Sequence, residues 1–383
     1  MSAPLEGIVV ADFSRVLAGP LATMTLADLG ARVIKVERPG TGDDTRAWGP
    51  PYAESGITTY FESANRGKES VTLDLTDPGD VARARELIAR SDVVIENFRP
   101  GLFAKLGFVA DSLIAEHPGL VYVSVSGFGL AGGAALPGYD FVAQAVGGLM
   151  HITGEADGEA MKAGVALVDV LTGKDAVIGI LAALRRRELT GRGSRVDVNL
   201  LSSLQAALVN QVSAHLGAGA EPERLGNRHP SIAPYESLRC ADAPIAVACG
   251  NDAQFARMAS ELGCPQLAAD PRFLRNSDRV AHREELVVEL ESSLSADTAA
   301  AWAARLNRIG VAAGVVNSIG DGIALAEELG LDPVWNAVGS DGRRSTQIRS
   351  PLTWSPAIPV SASAPPRLGE HDESVRAWLD AAR

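Results

Sequence analysis

Short runs of β-branched and other apolar residues alternate with helical segments early in the chain, and this alternation is the strongest constraint on its fold. The strand-like runs cover residues 7–12, 32–37, 70–75, 92–97 and 121–126. Helical spacing of apolar residues marks 21–30 and 80–88 between them. Strands that alternate with helices form βαβ units and a mostly parallel sheet. The sequence therefore predicts an α/β fold with a large Rossmann-like domain, whose ligands bind beyond the carboxyl ends of the strands.

The later part of the chain indicates a second, smaller domain. Helical patterns over 168–187 and 201–216 flank a strand-like run at 195–200, and small, polar residues typical of a linker follow. The predicted division is a large α/β domain beginning with 1–216, a linker at 217–224, a small α+β domain at 225–316 with a strand at 245–248, and a return linker with the C-terminal part of the large domain at 317–383. In this last part a loop at 361–366 precedes a helix predicted at 373–382.

Composition excludes several classes of function. The formal net charge of −12 argues against general nucleic-acid binding. Three widely spaced cysteines fit neither a disulfide framework nor a zinc site, and the six histidines show no metal-ligand spacing, so we expect no metal. The N-terminus lacks the basic and apolar regions of a signal peptide, and no uncharged apolar run reaches about 18 residues. We therefore expect a cytoplasmic protein without membrane partners.

Asp169 is the most informative single residue. It is the only charged side chain in the apolar stretch 164–173, at the start of a predicted helix. Its ordinary pKa of about 3.9 predicts full ionisation at pH 7, and a helix N-terminus favours an anion. Two interpretations remain open from the residues alone. Asp169 is either a carboxylate nucleophile or a helix-start residue without a chemical role.

Two further patterns are weaker. Residues 127–132 match the glycine spacing of a dinucleotide-binding loop, but glycine and proline follow instead of a helix, so the match does not predict a dinucleotide site. Basic residues recur near the predicted strand ends: Arg15, Arg38, Arg46, Arg66, Lys68, Arg99 and Lys105. They form either a phosphate-binding surface or an ordinary solvated one.

An ordered series of motifs carries a family resemblance. The motifs cover 12–20, 34–43 with Arg46, 65–68, 73–75, 96–101, 138–140, 164–173, 190–193, 196–198, 270–273 and 368–371. Because it has these motifs in this order, the chain resembles the class III CoA-transferases, the family of formyl-CoA transferase and carnitine CoA-transferase. The resemblance implies coenzyme A or an acyl-CoA as a substrate, with no tightly bound cofactor, and a carboxylic acid as the second substrate.

The resemblance also implies a role for individual residues. It makes Asp169 the nucleophile, which attacks an acyl-CoA thioester and passes through a mixed anhydride and an aspartyl-CoA thioester. It places coenzyme A against Leu17, Ala18, Arg38, Leu73, Asn97, Phe98, Lys105 and Tyr139. Arg38 would contact the nucleotide phosphates, Asn97 and Phe98 the adenosine, and Tyr139 would lie near the thiol. Asp140, Asn227 and His229 are assigned to the substrate. For Leu73 and Phe98, plain core packing is the alternative.

Departures from the family pattern bear on the reaction. Leu17 replaces the glutamine of formyl-CoA transferase, and 225–230 lacks its glycine run, so an oxalate and formyl-CoA reaction is disfavoured and a larger or more apolar acid is favoured. Related α-methylacyl-CoA racemases have histidine where this chain has Tyr139, and tyrosine is a poor acid–base replacement. The alternatives are such a racemase and a non-catalytic binding protein. The resemblance finally implies an interlocked homodimer of ring-shaped chains.

Overall fold

A computed structural model describes residues 2–358 and 363–381 of the chain. Part of the predicted loop at 361–366, and the last residue of the predicted terminal helix, Ala382, lie outside the described residues.

The strands are β1 (Val9–Asp12), β2 (Arg32–Glu37), β3 (Lys68–Thr72), β4 (Val93–Glu96), β5 (Val121–Ser126), β6 (Arg195–Asn199), β7 (Tyr235–Arg239), β8 (Pro244–Ala248), β9 (Ala312–Val315), β10 (Val334–Val338) and β11 (Arg344–Ile348).

The helices are α1 (Ala18–Asp28), α2 (Thr59–Glu62), α3 (Pro78–Ala89), α4 (Leu102–Lys105), α5 (Ala110–Glu116), α6 (Asp140–Val146), α7 (Leu149–Ile152), α8 (Leu167–Thr190), α9 (Leu200–Ala207), α10 (Val209–Ala218), α11 (Asp252–Glu261), α12 (Asn276–Ala281), α13 (Arg283–Leu294), α14 (Ala299–Arg308), α15 (Ile319–Glu328) and α16 (Asp372–Asp380). Single 3₁₀ turns lie at Asp44–Ala47 and Pro265–Ala269. None of these helices is long and apolar enough to cross a membrane.

Six parallel strands form the main sheet, in the order β3-β2-β1-β4-β5-β6. This confirms the predicted α/β fold with a parallel sheet. β1 lies at the centre, where Val10 pairs with Val33 of β2 and Val93 of β4. Because the strands run in the same direction, the loops that follow β1, β2 and β4 emerge at one edge.

Both faces of this sheet are buried. Val10, Val33 and Val93 pack with α1 and α8 on one face. Their neighbours Ala11 and Ile34 pack with α3 and α16 on the other. The alternation follows from the two-residue period of a strand, and burial on both faces explains why these strands read as nearly continuous apolar runs.

Two of the differences from the predicted elements have a clear physical cause. The third strand was predicted at 70–75 but covers Lys68–Thr72, because Lys68 is buried in an ion pair and its charge hides the strand start. The single helix predicted at 201–216 was wrong. It is two helices, α9 and α10, which break where Val209 takes a φ of +30°. The sequence carries neither glycine nor proline at that break to indicate it.

The chain divides into two compact units, described here as unit 1 and unit 2. Unit 1 comprises Met1–Leu149, Lys162–Ala220 and Asp332–Arg383, and unit 2 comprises Met150–Met161 and Glu221–Leu331. Unit 1 holds the parallel sheet and an antiparallel hairpin of β10 and β11. Unit 2 holds the antiparallel sheet β7-β8-β9 with its own apolar core, in which Phe255, Leu290 and Trp302 are buried.

Candidate active site

Asp169 lies in the first turn of α8. One turn later in the same helix comes Gly173, which packs directly against the start of α1. A Cβ on Gly173 would lie 2.7 Å from the carbonyl oxygen of Ala18. Glycine therefore permits a close approach of the two helices, and this approach sets Asp169 beside the first turn of α1.

Asp140 caps the helix that carries Asp169. The residue before α8 is Ala166, whose side chain cannot accept a hydrogen bond. The Oδ1 atom of Asp140 instead accepts from the backbone N–H groups of Val168 at 2.7 Å and Asp169 at 3.1 Å. Its Oδ2 accepts from the amide of Gln144. Asp140 thus satisfies N–H groups that have no partner inside the helix, and its assignment to the substrate stays a prediction.

The environment of Asp169 changes its protonation. Burial, and then the negative charge of Asp140, raise the pKa of Asp169 to about 7. Full ionisation at pH 7, as the ordinary pKa suggested, is therefore not expected. Roughly half of the molecules carry the charged form at that pH. A carboxylate that is poorly solvated and yet ionises near neutrality is suited to nucleophilic attack.

Two cavities of unit 1 adjoin one another, and Asp169 lines the first of them. The first, of about 410 Å³, is lined by Asp169 and by predicted coenzyme A residues: Leu17, Ala18, Asn97, Phe98 and Tyr139. The second, of about 520 Å³, is lined by Arg38, Leu73 and again Phe98. Arg15 and Phe98 line both cavities, so the two spaces adjoin there.

The remaining predicted coenzyme A residues are placed as follows. Lys105 is exposed on α4 and lines neither cavity, although its helix neighbours Leu102 and Leu106 line the second one. Leu73 is 2% exposed and belongs to the apolar core, so it is both core and cavity wall. Phe98 is half-buried and stacks on Phe103, with ring centroids 5.3 Å apart. Tyr139 is exposed at the start of α6.

Three of the basic residues near the strand ends are neither phosphate contacts nor solvated surface. Arg46 pairs with Glu37, Arg66 with Asp28, and Lys68 with Asp12, and these side chains are largely or fully buried. Both interpretations of them from the sequence were wrong. The partners lie 9, 38 and 56 positions away, respectively, and no helical or strand periodicity identifies such pairs.

A second set of contacts, around the loop between β1 and α1, was not predicted from the sequence. The Nζ atom of Lys35 donates to the carbonyl oxygen of Ser14 at 2.8 Å and pairs with Asp43 at 2.9 Å. Burial alone would raise the pKa of Asp43, but the charge of Lys35 and local hydrogen bonds hold it at about 2. Asp43 is therefore a permanent anion at this loop. The close succession of oppositely charged residues after β2 was the available signal.

Tyr60 is also near the site. Burial, and then the charges of Asp169 and Asp140, raise the pKa of its hydroxyl, and its ring packs edge-on against Trp48 with centroids 5.2 Å apart. Tyr60 was not among the site residues predicted from the sequence.

Asn227 and His229 lie in unit 2. Asn227 lines a cavity of about 490 Å³ beside the sheet β7-β8-β9. The ring of His229 lies 5.1 Å from that of Tyr235, and its Nδ1 accepts from the backbone N–H of Ser231 at 3.1 Å. Their assignment to the substrate stays a prediction. Among residues 2–358 and 363–381, no cluster of three or more His, Cys, Asp or Glu side chains could hold a metal ion.

Comparisons with known proteins cover nearly the whole chain. A family model described as CoA-transferase family III matches residues 5–372. A succinate–glutarate CoA-transferase from Agrobacterium fabrum is 42% identical over 396 residues, with 98% of this chain and 96% of that protein covered. An acetyl-CoA:oxalate CoA-transferase from Acetobacter aceti is 41% identical over 326 residues, with 85% and 83% covered. The crystal structure of a CaiB/BaiF family protein from Brucella suis superposes with a TM-score of 0.88 at 42% identity, covering 99% of this chain and 100% of the other.

Proposed function

Because the chain belongs to CoA-transferase family III, we propose that it moves coenzyme A from an acyl-CoA to a carboxylic acid through the carboxylate of Asp169. The protein is an enzyme, a CoA-transferase that acts between acyl-CoA and carboxylic acids. Its substrate pair and its mechanism are the proposal. The observation that carries the mechanism is the position of Asp169 in one cavity with Leu17, Ala18 and Tyr139.

The first half of the reaction uses Asp169 twice. A carboxylate oxygen of Asp169 attacks the thioester carbonyl, the carbon–sulfur bond breaks, and coenzyme A leaves as the thiolate, which gives an acyl-aspartyl anhydride. The thiolate then attacks the aspartyl carbonyl of the anhydride and releases the donor acid as its carboxylate. The enzyme now carries coenzyme A as an aspartyl thioester.

The second half repeats these steps in reverse order with the acceptor. The carboxylate of the acceptor attacks the aspartyl thioester and expels the thiolate, which forms a second anhydride. The thiolate attacks the acceptor's carbonyl carbon in that anhydride, which yields the new acyl-CoA and restores the carboxylate of Asp169. No proton, oxidant or metal is consumed, so the demands on the site are binding, orientation and charge stabilisation.

The start of α1 supports the stabilisation of negative charge. Its N-cap residue, Leu17, has no side-chain oxygen to satisfy the first N–H groups of the helix. Leu17 and Ala18, where these groups and the positive end of the helix dipole lie, line the same cavity as Asp169. Donors of this kind stabilise the oxyanion that forms when a carboxylate attacks a carbonyl.

The second cavity is suited to the nucleotide end of coenzyme A. Arg38 supplies a permanent positive charge for phosphates, and Leu73 and Phe98 supply apolar surface. Lys105 lies exposed on α4 beside this cavity and adds charge at its rim. We include the coenzyme A residues named from the resemblance in this proposal, except Asn97, whose amide binds the backbone of Arg15.

Dicarboxylic acids are the acceptors that we propose. Arg15 and Arg99 line the cavity of Asp169; Arg15 pairs with Asp44, whereas Arg99 has no ion-pair partner among the described residues. A free guanidinium binds a carboxylate strongly, and one carboxylate of a dicarboxylic acid remains when the other reacts. The names of two relatives refer to succinate, glutarate and oxalate. No observation favours a racemase.

The intact mass of the enzyme after incubation with succinyl-CoA tests the mechanism. We expect a covalent coenzyme A adduct on the wild type that hydroxylamine removes, and no adduct and no transfer to glutarate in Asp169→Ala. That change removes a short side chain without opening a large cavity, so the variant should still fold and bind coenzyme A. Turnover by Asp169→Ala would refute the proposal.

We further propose that the enzyme is an interlocked homodimer and retain the predicted boundaries at 216, 224 and 316 as its domains. Large apolar side chains are exposed within unit 1, among them Ile178 and Leu189 of α8 and Leu216 of α10. Within unit 2, Ile319 and Leu329 are exposed. Apolar surface of this kind is typical of a subunit interface.

A further inference from the structure

The loop from Ser14 to Val16 is held in an unfavourable backbone conformation by side chains from β2, from the loop after β2 and from the residue after β4. We propose that three of these side chains, Lys35, Asp43 and Asn97, are positioning residues for coenzyme A transfer, and we call them the loop clamp. The inference rests on the proposed role of Asp169, because the clamped loop leads directly into the wall that Asp169 shares.

Val16 shows that the loop is strained. Its φ is +70°, in the left-handed region that β-branched residues rarely adopt. Val16 lines the cavity of Asp169, and the next two residues, Leu17 and Ala18, begin α1. A relaxation of Val16 would therefore turn the first N–H groups of α1 away from their present direction.

The loop clamp holds three successive residues by their backbone atoms. The carbonyl oxygen of Ser14 accepts from Lys35 at 2.8 Å. The N–H of Arg15 donates to Oδ1 of Asn97 at 2.9 Å, and its carbonyl oxygen accepts from the amide nitrogen of Asn97 at 2.7 Å. The N–H of Val16 donates to both carboxylate oxygens of Asp43, at 3.2 Å each.

Burial of the clamp argues for a specific role. The side chains of Lys35 and Asp43 are each 1% exposed and form an ion pair of 2.9 Å. Removing two charges from water is costly, and an apolar pair would often stabilise a core equally well. The charges here satisfy the backbone of an irregular segment, which apolar side chains could not do.

The clamp also gives Asn97 a different role from that implied by the resemblance. Both the oxygen and the nitrogen of its amide bind the backbone of Arg15. An adenosine contact would affect mainly the KM for acyl-CoA, whereas a positioning contact affects mainly kcat. We therefore expect Asn97→Ala to lower kcat about tenfold or more and to leave the KM for acyl-CoA within about threefold.

A matched pair of variants tests the ion pair. Asp43→Asn removes the charge that pairs with Lys35 and weakens the support of Val16. Asp28→Asn makes the same change in another buried ion pair, at the far end of α1, where Asp28 contacts Arg66 at 2.6 Å. Both variants should melt at a lower temperature than the wild type. Only Asp43→Asn should lose about tenfold or more in kcat for transfer from succinyl-CoA to glutarate.

A second variant separates positioning from general destabilisation. Glycine adopts a φ of +70° without strain, so Val16→Gly in the Asp43→Asn protein removes the tendency of the loop to relax. We expect the double variant to be several-fold more active than Asp43→Asn alone, whereas two independent losses would make it less active. Lower activity of the double variant would overturn the role of strain.

The outcomes distinguish this inference from the proposed function. Activity in Asp169→Ala would refute the mechanism itself. If Asp169→Ala is inactive but Asp43→Asn and Asn97→Ala keep the wild-type kcat, the mechanism stands and the loop clamp is wrong. A raised KM with an unchanged kcat in Asn97→Ala would return that residue to the coenzyme A contacts.

Discussion

At the scale of single residues, the environment of Asp169 predicts that the proposed reaction depends on pH near neutrality. Only the ionised carboxylate is a nucleophile, and its pKa is raised to about 7 by burial and by Asp140. We therefore expect kcat/KM to rise with pH and to level off above about pH 8. Initial rates between about pH 5.5 and 8.5 measure the midpoint, and a flat profile would contradict the raised pKa.

Asp140→Asn is the control for this profile. Asparagine keeps an oxygen that can accept from the N–H groups of Val168 and Asp169, but it removes the negative charge. The midpoint should move to lower pH, because the ionised form of Asp169 is no longer opposed by a like charge.

The same raised pKa predicts that Asp169 lowers the stability of the folded protein. A carboxyl group whose pKa is 3.8 in the unfolded protein and about 7 in the folded protein binds its proton more tightly in the native state. Ionisation of Asp169 therefore lowers the free energy of unfolding, and the loss grows as the pH rises from about 4 to 7. The full shift would correspond to about 4 kcal/mol, and solvent screening of this partly buried group reduces the expected effect to about 1–2 kcal/mol.

Asp169→Asn tests that cost. Urea unfolding at pH 8 should show the variant to be more stable than the wild type by about 1–2 kcal/mol. At pH 5 the difference should fall below half of that value, because the wild-type carboxyl group is then largely protonated in the native state. Equal protein concentrations are needed, since association adds to the stability of both proteins. A difference that does not change with pH would contradict the assignment.

At the scale of elements, the contact between α1 and α8 sets the position of Asp169, the proposed nucleophile. Gly173→Ala would place a methyl group 2.7 Å from the carbonyl oxygen of Ala18, so the helices must separate by a fraction of an ångström. A displacement near the chemistry is costly, and we expect kcat to fall about tenfold or more. Transfer rates and melting temperatures of the purified variant measure both effects.

Gly179→Ala is the matched change in the same helix. Its new methyl group would meet a side-chain methyl of Val196, also at 2.7 Å, and a side chain yields more easily than backbone. This variant lies more than three turns from the start of α8 and should keep a kcat within about twofold of the wild type. Similar losses of kcat in the two variants would show that the helix contact has no special role.

The elements also show what the sequence could and could not predict. β2 and β5 match the runs at 32–37 and 121–126, because each strand buries apolar side chains on both faces of the sheet. The start of β3 was missed because the charge of Lys68 is neutralised by Asp12, a residue 56 positions away. The hairpin of β10 and β11 was also missed, although serine, aspartate and glycine between two alternating runs were a usable signal.

The candidate site, like the secondary-structure elements, was predicted only in part. The resemblance named Asp169 and several residues that share its cavity, because these residues lie in short motifs whose order can be read directly from the sequence. It did not reveal the cap that Asp140 provides to α8, or the contacts of Lys35, Asp43 and Asn97 with the loop after β1. Those contacts join residues up to 82 positions apart, and only folding brings them together.

At the scale of the whole molecule, the exposed apolar side chains predict how the chain assembles. Ile178 is 64% exposed within unit 1, and Ile319 is 86% exposed within unit 2. Burying each such side chain would contribute about 1.5–3 kcal/mol, and several are exposed on each unit. An obligate interface of about 2,000 Å² or more would cover them.

An interlocked dimer should respond to dilution differently from a simple dimer. Two chains that pass through one another cannot separate until at least one of them partly unfolds, so the dimer should persist on dilution from micromolar to nanomolar protein. Light scattering and mass photometry over this range should give twice the mass of one chain throughout, and transfer activity per chain should stay constant. Urea should abolish the dimer and the helical circular dichroism signal in a single transition. A folded, active species with the mass of one chain would refute the interlocked assembly. If that species appears only on dilution, the enzyme is an ordinary dimer whose subunits separate without unfolding.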